Sequence, residues 1–77
     1  MSVLAFILLN VEMASQREVL NKIRTLDAVL EAHLIFGTYD IIVKAEFATN
    51  QDLSLFVVDI IKAIPGVGET QASICAN

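Results

Sequence analysis

The sequence predicts one α+β domain with the element order strand, helix, strand, strand, helix, strand. Apolar residues make up 56% of the chain and are grouped in short, β-rich runs that polar turns separate. Two further segments carry apolar side chains at the three- and four-residue spacing of an amphipathic helix. A chain of 77 residues has room for a single hydrophobic core, so we expect residues 1–77 to form one domain.

The first part of the chain predicts a strand, a helix and a second strand. Val3–Val11 is nearly continuous in apolar residues, as in a strand that is covered on both faces. Ser15 and Glu18 have the spacing of a capping box, which predicts a helix over Gln16–Leu26. Val29–Phe36 is then predicted as the second strand.

A hairpin is predicted to connect the second strand to the third. The connection, Gly37-Thr38-Tyr39-Asp40, contains the only glycine before residue 66, and the apolar segment Ile41–Phe47 follows it. Two such strands joined by a short turn are antiparallel neighbours. Each phenylalanine lies within an apolar run, so we assign all four to the core: Phe6, Phe36, Phe47 and Phe56.

The last part of the chain predicts a helix and a final strand. Thr49 and Asn50 are suitable N-caps. The apolar residues that follow repeat at helical spacing and are expected on the buried face: Leu53, Phe56, Val57, Ile60, Ile61 and Ile64. Pro65-Gly66 ends the helix, and Val67–Cys75 forms a fourth, more polar strand.

Both helices are expected on one face of a four-stranded antiparallel sheet, because each strand-helix-strand half crosses over with a right hand. This arrangement is the ferredoxin-like fold. The first strand is apolar on both faces, so the open sheet face should carry an apolar patch. A domain of this size buries only about 60–65% of the surface of its unfolded chain. We therefore predict a homo-oligomer that dimerises through the open sheet face.

Composition and charge argue against several classes of protein. The longest uninterrupted apolar run, Val3–Leu9, has seven residues, whereas a membrane-spanning helix needs about 20. No basic segment or cleavage site accompanies it, so we expect a cytoplasmic location. One cysteine and one histidine form neither an internal disulfide nor a conventional zinc site, and we predict no metal or cofactor. A net charge of −4 without a basic face argues against direct nucleic-acid binding.

Few residues are candidates for catalysis. Glu31 and His33 are two positions apart on a strand and share a face, either as an acid–base pair or as part of a solvated or interface surface. A small dimeric α+β-barrel enzyme would need His33, Tyr39 or Asp40 in a common cavity. An amino-acid-binding domain of the ACT type would need a glycine-rich loop after the first strand, where residues 10–14 contain no glycine. Both remain alternatives to a non-enzymatic binding module, which we favour.

Three motifs resemble the effector domain of one family of regulators. They are Gly37-Thr38-Tyr39-Asp40 before an apolar strand, Ile64-Pro65-Gly66-Val67, and Thr70-Gln71-Ala72-Ser73-Ile74 in the last strand. In this order they resemble the RAM domain (regulation of amino acid metabolism) of the Lrp/AsnC family, named for the leucine-responsive regulatory protein and the asparagine regulator. The resemblance covers the whole chain. No DNA-binding domain is predicted before the first strand, so the chain resembles the stand-alone form found in prokaryotes.

The resemblance implies a domain that binds a small amino-acid effector and modulates transcription by associating with DNA-binding Lrp/AsnC relatives. Dimers would pack sheet to sheet and close into a ring, often an octamer, with the effector between neighbouring dimers. The family's binding residues carry over to Gly37, Tyr39, Asp40 and Thr70, and Ala72 stands where many members have a second threonine. A carboxylate such as Asp40 would pair with the ligand ammonium, and backbone N–H groups near the glycine turn would receive its carboxylate.

Overall fold

The computed structural model describes residues 2–75, which form a four-stranded antiparallel sheet with its helices on one face. The predicted element order and the ferredoxin-like fold are confirmed. The elements are strands β1 (Val3–Val11), β2 (Val29–Leu34), β3 (Ile41–Phe47) and β4 (Val67–Ile74), helices α1 (Gln16–Arg24) and α2 (Asn50–Leu55), and a π-helical segment (Phe56–Ile61) that continues α2.

The strands lie in the order β2-β3-β1-β4, so β1 and β3 are central and β4 is an edge. β1 pairs with β3 from Val3 opposite Phe47 to Leu9 opposite Ile41. On its other side it pairs with β4, and the register shifts between Leu9 and Val11. The antiparallel pairing predicted for the second and third strands is confirmed.

The hydrophobic core lies between the sheet and the helices. Side chains alternate along β1, so every second one points to this side and is buried: Ala5, Ile7, Leu9 and Val11. The helices contribute their own apolar stripe to the same cluster: Val19, Leu20, Ile23, Leu53, Phe56 and Ile61. One continuous cluster shows that both helices cover the same face of the sheet.

The open sheet face is apolar along its middle. The alternate residues of β1 point to this face and are half-buried within a single chain: Leu4, Phe6, Leu8 and Asn10. On β3, Ile42 lies opposite Leu8 and continues the stripe. The apolar patch expected on this face is therefore present, although the face is not covered by other elements of the same chain.

The capping box predicted for α1 does not form. Ser15 has a helical conformation (φ −103°, ψ −3°) and makes no side-chain cap bond, whereas a capping residue is normally extended. A 3₁₀ turn over Met13–Ser15 precedes the helix. α1 also ends earlier than predicted, at Arg24, so Leu26 packs against the core from the following turn.

The second helix begins at its predicted N-cap but widens after its first turns. Thr49 Oγ1 accepts the backbone N–H of Asp52 at 3.1 Å. From Phe56 onward the helix is π-helical, as in the bond from the Lys62 N–H to the Val57 carbonyl. The wider turn moves Ile60 away from the core, and its side chain is 42% exposed. The prediction that Ile60 lies on the buried face is therefore wrong.

Two of the four phenylalanines predicted in the core, Phe6 and Phe36, lie outside it. Phe47 and Phe56 are buried, with ring centroids 5.0 Å apart, and Phe6 is half-buried on the open face. Phe36 is fully exposed, because β2 ends at Leu34 and the chain has already left the sheet. β4 similarly ends at Ile74, one residue before the predicted end.

Candidate functional site

The connection between β2 and β3 is a closed hairpin turn. The Ile35 N–H donates to the Asp40 carbonyl at 2.9 Å, which holds the two ends of the turn together. Gly37 has a φ of +139°, a backbone conformation that residues other than glycine rarely adopt. A Cβ there would meet no atom within 4 Å, so the turn requires glycine for its backbone conformation and not for space.

Asp40 is bonded to the sheet through both its backbone and its side chain. Its N–H donates to the Leu9 carbonyl at 2.8 Å, and its Oδ2 accepts the Val11 N–H at 2.8 Å. The carboxylate therefore takes the place of a backbone acceptor where the pairing of β1 with β3 ends. Within residues 2–75 the other oxygen, Oδ1, makes no hydrogen bond. One oxygen of Asp40 is thus structural, and the other is available to a ligand.

Asp40 and Gly37 line a recess of about 310 Å³ between the turn and the start of α1. Its other lining residues are mostly apolar: Met13, Gln16, Leu34, Ile35 and Phe36. Met13 and Phe36 are 86% and 107% exposed, respectively, so the apolar wall faces solvent within one chain. A largely apolar recess with a few polar groups is typical of small-molecule sites, whose volumes range upward from about 300 Å³.

Tyr39 reaches across the sheet to β4. Its hydroxyl donates to Gln71 Oε1 at 2.9 Å. Gln71 pairs with Leu8 and therefore lies on the open face, because directly opposed residues of an antiparallel pair point to the same side. Sequence reasoning did not include Gln71 in the site, although the residue stands within the motif that carried the resemblance.

Thr70 lies on the opposite side of β4 from Gln71. It pairs with Leu9, which is fully buried on the helix side, and Thr70 itself is half-buried. Within one chain, the structure thus brings Gly37 and Asp40 together at the recess. It places the Tyr39 hydroxyl on the open face and Thr70 on the helix side.

A charged cluster lies on the open face at β2. Glu31 Oε1 is 3.3 Å from His33 Nε2, and Glu31 Oε2 is 3.8 Å from Lys44 Nζ. These side chains line a small depression with Phe6 and Ile42, whereas the recess beside Asp40 is lined by neither His33 nor Tyr39. The three residues that an enzyme of this fold would need in a common cavity are therefore not convergent in one chain.

Two further features bear on the class of site. In the described part of the chain, no group of three or more His, Cys, Asp or Glu side chains is arranged to hold a metal ion. Within the same residues, no helix has the length and apolar character needed to cross a membrane.

The fold and the recess at the β2–β3 turn are compatible with a small ligand-binding domain, and comparison with known proteins identifies its family. The sequence profile of the Lrp/AsnC ligand binding domain matches residues 4–77. The chain belongs to this family. It is 34% identical, over 95% of its length and 48% of the relative's, to the HTH-type transcriptional regulator FL11 of Pyrococcus abyssi. The chain spans about half the length of the curated relatives it matches.

Solved structures show the same fold. The crystal structure of FFRP-DM1 superposes with a TM-score of 0.91 and 37% identity, covering 95% of this chain and 97% of that one. A transcriptional regulator of Neisseria meningitidis in complex with L-Met superposes with a TM-score of 0.88 and 27% identity, covering 97% of this chain and 50% of that one. The relatives are transcriptional regulators, so a regulatory ligand-binding role is supported.

Proposed function

We propose that residues 1–77 act as an amino-acid-sensing and oligomerisation module without catalytic activity. In this proposal the module modulates transcription in the cytoplasm by associating with DNA-binding Lrp/AsnC relatives, and it does not contact nucleic acid itself. The observation that carries the proposal is the recess beside Asp40. It combines an unpaired carboxylate oxygen, a glycine turn and an apolar wall.

These groups suit an α-amino acid with an apolar side chain. The free Oδ1 of Asp40 would accept a hydrogen bond from the ligand ammonium, and the wall that Leu34 and Phe36 contribute would contact the ligand side chain. The recess volume of about 310 Å³ is at the small end of ligand sites, as expected for a single amino acid. The regulator from Neisseria meningitidis, which was crystallised with L-Met, is consistent with this class of ligand.

We further propose that the site is completed by a second copy of the chain. Gly37, Tyr39, Asp40 and Thr70 lie on different sides of the sheet in one chain, so a single copy does not present them to one ligand. Contacts between copies would bring the turn of one next to β4 of another. The exposed Met13 and Phe36 beside the recess support this arrangement, because apolar side chains at a protein surface favour burial.

Dimerisation is proposed to occur through the open sheet face. The half-buried stripe on this face consists of Leu4, Phe6, Leu8 and Ile42. A second sheet packed against it would remove this stripe from water, at about 25 cal/mol for each Å² of apolar surface. Dimers would then assemble into a ring such as an octamer, with ligand sites between neighbouring dimers.

Calorimetric titration with a panel of L-amino acids tests the sensing role. We expect saturable binding of an apolar amino acid to the wild-type protein. Asp40→Asn keeps a side-chain acceptor for the Val11 N–H but removes the charge, so it should weaken binding by about 1.5–3 kcal/mol. A protein that binds no amino acid of the panel would contradict sensing. Equal affinities of wild type and Asp40→Asn would remove Asp40 from the site.

A further inference from the structure

The recess contains a second polar side chain that the predicted site did not include. Gln16, the first residue of α1, lines the recess together with Asp40 and is half-buried. Within residues 2–75 its side-chain amide makes no hydrogen bond. A carboxamide offers two N–H donors and one acceptor oxygen. The Gln16 carboxamide and the Oδ1 oxygen of Asp40 thus belong to two residues that line the same apolar recess, and neither group has a hydrogen-bond partner within residues 2–75.

A ligand carboxylate in the recess would have only neutral hydrogen-bond donors from the described part of this copy of the chain. Among residues 2–75, no Lys or Arg lines the recess. The nearest cation along the chain, Arg17, lies on the exposed side of α1, and Arg24 donates two hydrogen bonds to the Ala32 carbonyl. A ligand carboxylate in this recess would therefore meet amide N–H groups and no cationic side chain of the same copy. Hydrogen bonds from neutral donors to a charged acceptor are still among the stronger ones in proteins.

We propose that Gln16 binds the carboxylate of the ligand and makes the site selective for α-amino acids over the corresponding amides and amines. This inference rests on the proposed amino-acid-sensing function and assigns a specificity-determining residue to the same recess. Asp40 binds the ammonium group of the ligand, Gln16 binds its carboxylate, and the apolar wall of the recess contacts the ligand side chain. Asp40 alone would accept any primary ammonium group, so discrimination against amines falls to Gln16.

Gln16 also connects the ligand to a helix. The residue opens α1, which packs on the sheet through Val19, Leu20 and Ile23. Asp40 lies in the hairpin immediately before β3 and is bonded to β1. A ligand held by both would link α1 to this end of the sheet, so an amino acid should stabilise the fold more than its amide, which Asp40 alone would hold.

The test compares each amino acid with its carboxamide. L-Methionine, L-leucine and L-phenylalanine, and the amide of each, are titrated into the wild type, Gln16→Met, Gln16→Glu and Gln51→Met. Methionine has nearly the length of glutamine but no N–H donor. Gln51 is an exposed glutamine in the first turn of α2 outside the recess, so Gln51→Met controls for the substitution itself. Thermal unfolding without ligand verifies that each variant is folded.

We expect the wild type to bind the best amino acid about 10- to 100-fold more tightly than its amide, the range that corresponds to a hydrogen bond to a charged group. Gln16→Met should lose most of this preference by weakening amino-acid binding alone. Gln16→Glu should reverse the preference, because its carboxylate repels that of the amino acid. Gln51→Met should match the wild type.

The outcomes separate this inference from the function on which it rests. A wild-type protein that binds neither amino acids nor amides would overturn both. A wild type that binds amino acids, with an unchanged preference in Gln16→Met and Gln16→Glu, would overturn only the role of Gln16. A preference lost equally in Gln51→Met would also count against it.

Discussion

Oδ2 of Asp40 lies 2.8 Å from the backbone nitrogen of Val11, and this hydrogen bond joins the β2–β3 hairpin to the end of β1. The pairing of β1 with β3 ends at Leu9, opposite Ile41. The β3 backbone therefore offers no acceptor to the Val11 N–H, which lies beyond this last pair. The side chain supplies the acceptor that the β3 backbone no longer provides. The residue proposed to bind the ligand ammonium therefore also holds two strands together.

The first prediction follows from this double role. Asp40→Ala should lower the free energy of unfolding by about 1–3 kcal/mol, because it leaves the part-buried Val11 N–H without a protein partner. Asp40→Asn retains an acceptor oxygen and should cost about 1 kcal/mol or less. Urea unfolding of the two variants and the wild type at one protein concentration measures the difference. Equal stabilities for Asp40→Ala and the wild type would contradict the structural role.

The second prediction concerns Gly66, where the chain turns into β4. Gly66 has a φ of +95°, and a Cβ there would lie 2.7 Å from Ser15 Cβ. Its carbonyl also accepts the Glu12 N–H at 2.9 Å, so the turn has little freedom to move. Gly66→Ala should cost at least the roughly 1–3 kcal/mol of a strained backbone, with the steric overlap in addition.

The other glycines provide matched controls for Gly66→Ala. Gly37→Ala should incur the backbone cost alone, since a Cβ there meets nothing within 4 Å. Gly68 has no positive φ, and its Cβ would lie 3.5 Å from the Asn10 carbonyl oxygen, an ordinary contact. Gly68→Ala should thus be neutral or slightly stabilising. The expected order of destabilisation in urea is Gly66, then Gly37, then Gly68, and any other order would contradict the account.

Much of the fold follows from patterns that are local in the sequence. Val3–Val11 and Ile41–Phe47 were predicted with their observed bounds, because short segments rich in apolar residues and flanked by polar turns are typical of strands. The cap at Thr49 is equally local, since Thr49 bonds to a residue three positions later. Such features depend only on residues that are close in the sequence, so they can be predicted without knowledge of the fold.

The features that were not predicted depend on contacts between distant residues. Ser15 adopts a helical conformation and does not cap α1, and its side chain lies beside Gly66, a residue that is distant in the sequence. The π-helical segment displaces Ile60 from the apolar face that a regular spacing of 3.6 residues assigns to it. Thr70 and Gln71 face opposite sides because they are neighbours in a strand, but the register of β4 on β1 decides that Thr70 faces the helices and Gln71 the open face, and a strand pattern without an aligned partner does not determine that register.

The third prediction compares two phenylalanines that the sequence does not distinguish. Phe36→Ala should change the free energy of unfolding by about 0.5 kcal/mol or less, because the side chain is fully exposed. Phe56→Ala should cost about 3–5 kcal/mol, because Phe56 is buried against Phe47. Urea unfolding at low protein concentration measures both. A large loss from Phe36→Ala would show that another surface covers this side chain even in dilute solution.

The last prediction concerns the proposed dimer interface on the open face. Leu8→Glu places a charge in the middle of the apolar stripe, where a second sheet would leave it buried without a partner. Light scattering at micromolar concentration should give a multiple of 8.4 kDa for the wild type and a smaller mass for Leu8→Glu. Val58→Glu, at a 58% exposed position on the π-helical segment, should keep the wild-type mass.

Ser73→Glu is a second variant of the open face, and it distinguishes a lost interface from a loss of assembly caused by unfolding. Ser73 lies opposite Phe6 on the same open face but is exposed in the single chain, so a charge there does not disturb the core. It should still weaken a sheet-to-sheet dimer, because the second sheet would cover it. Loss of mass in both open-face variants, with unchanged circular dichroism, locates the interface on this face. Wild-type mass in both, or a wild-type protein that is itself a monomer, would exclude this mode of assembly and the ligand site that depends on it.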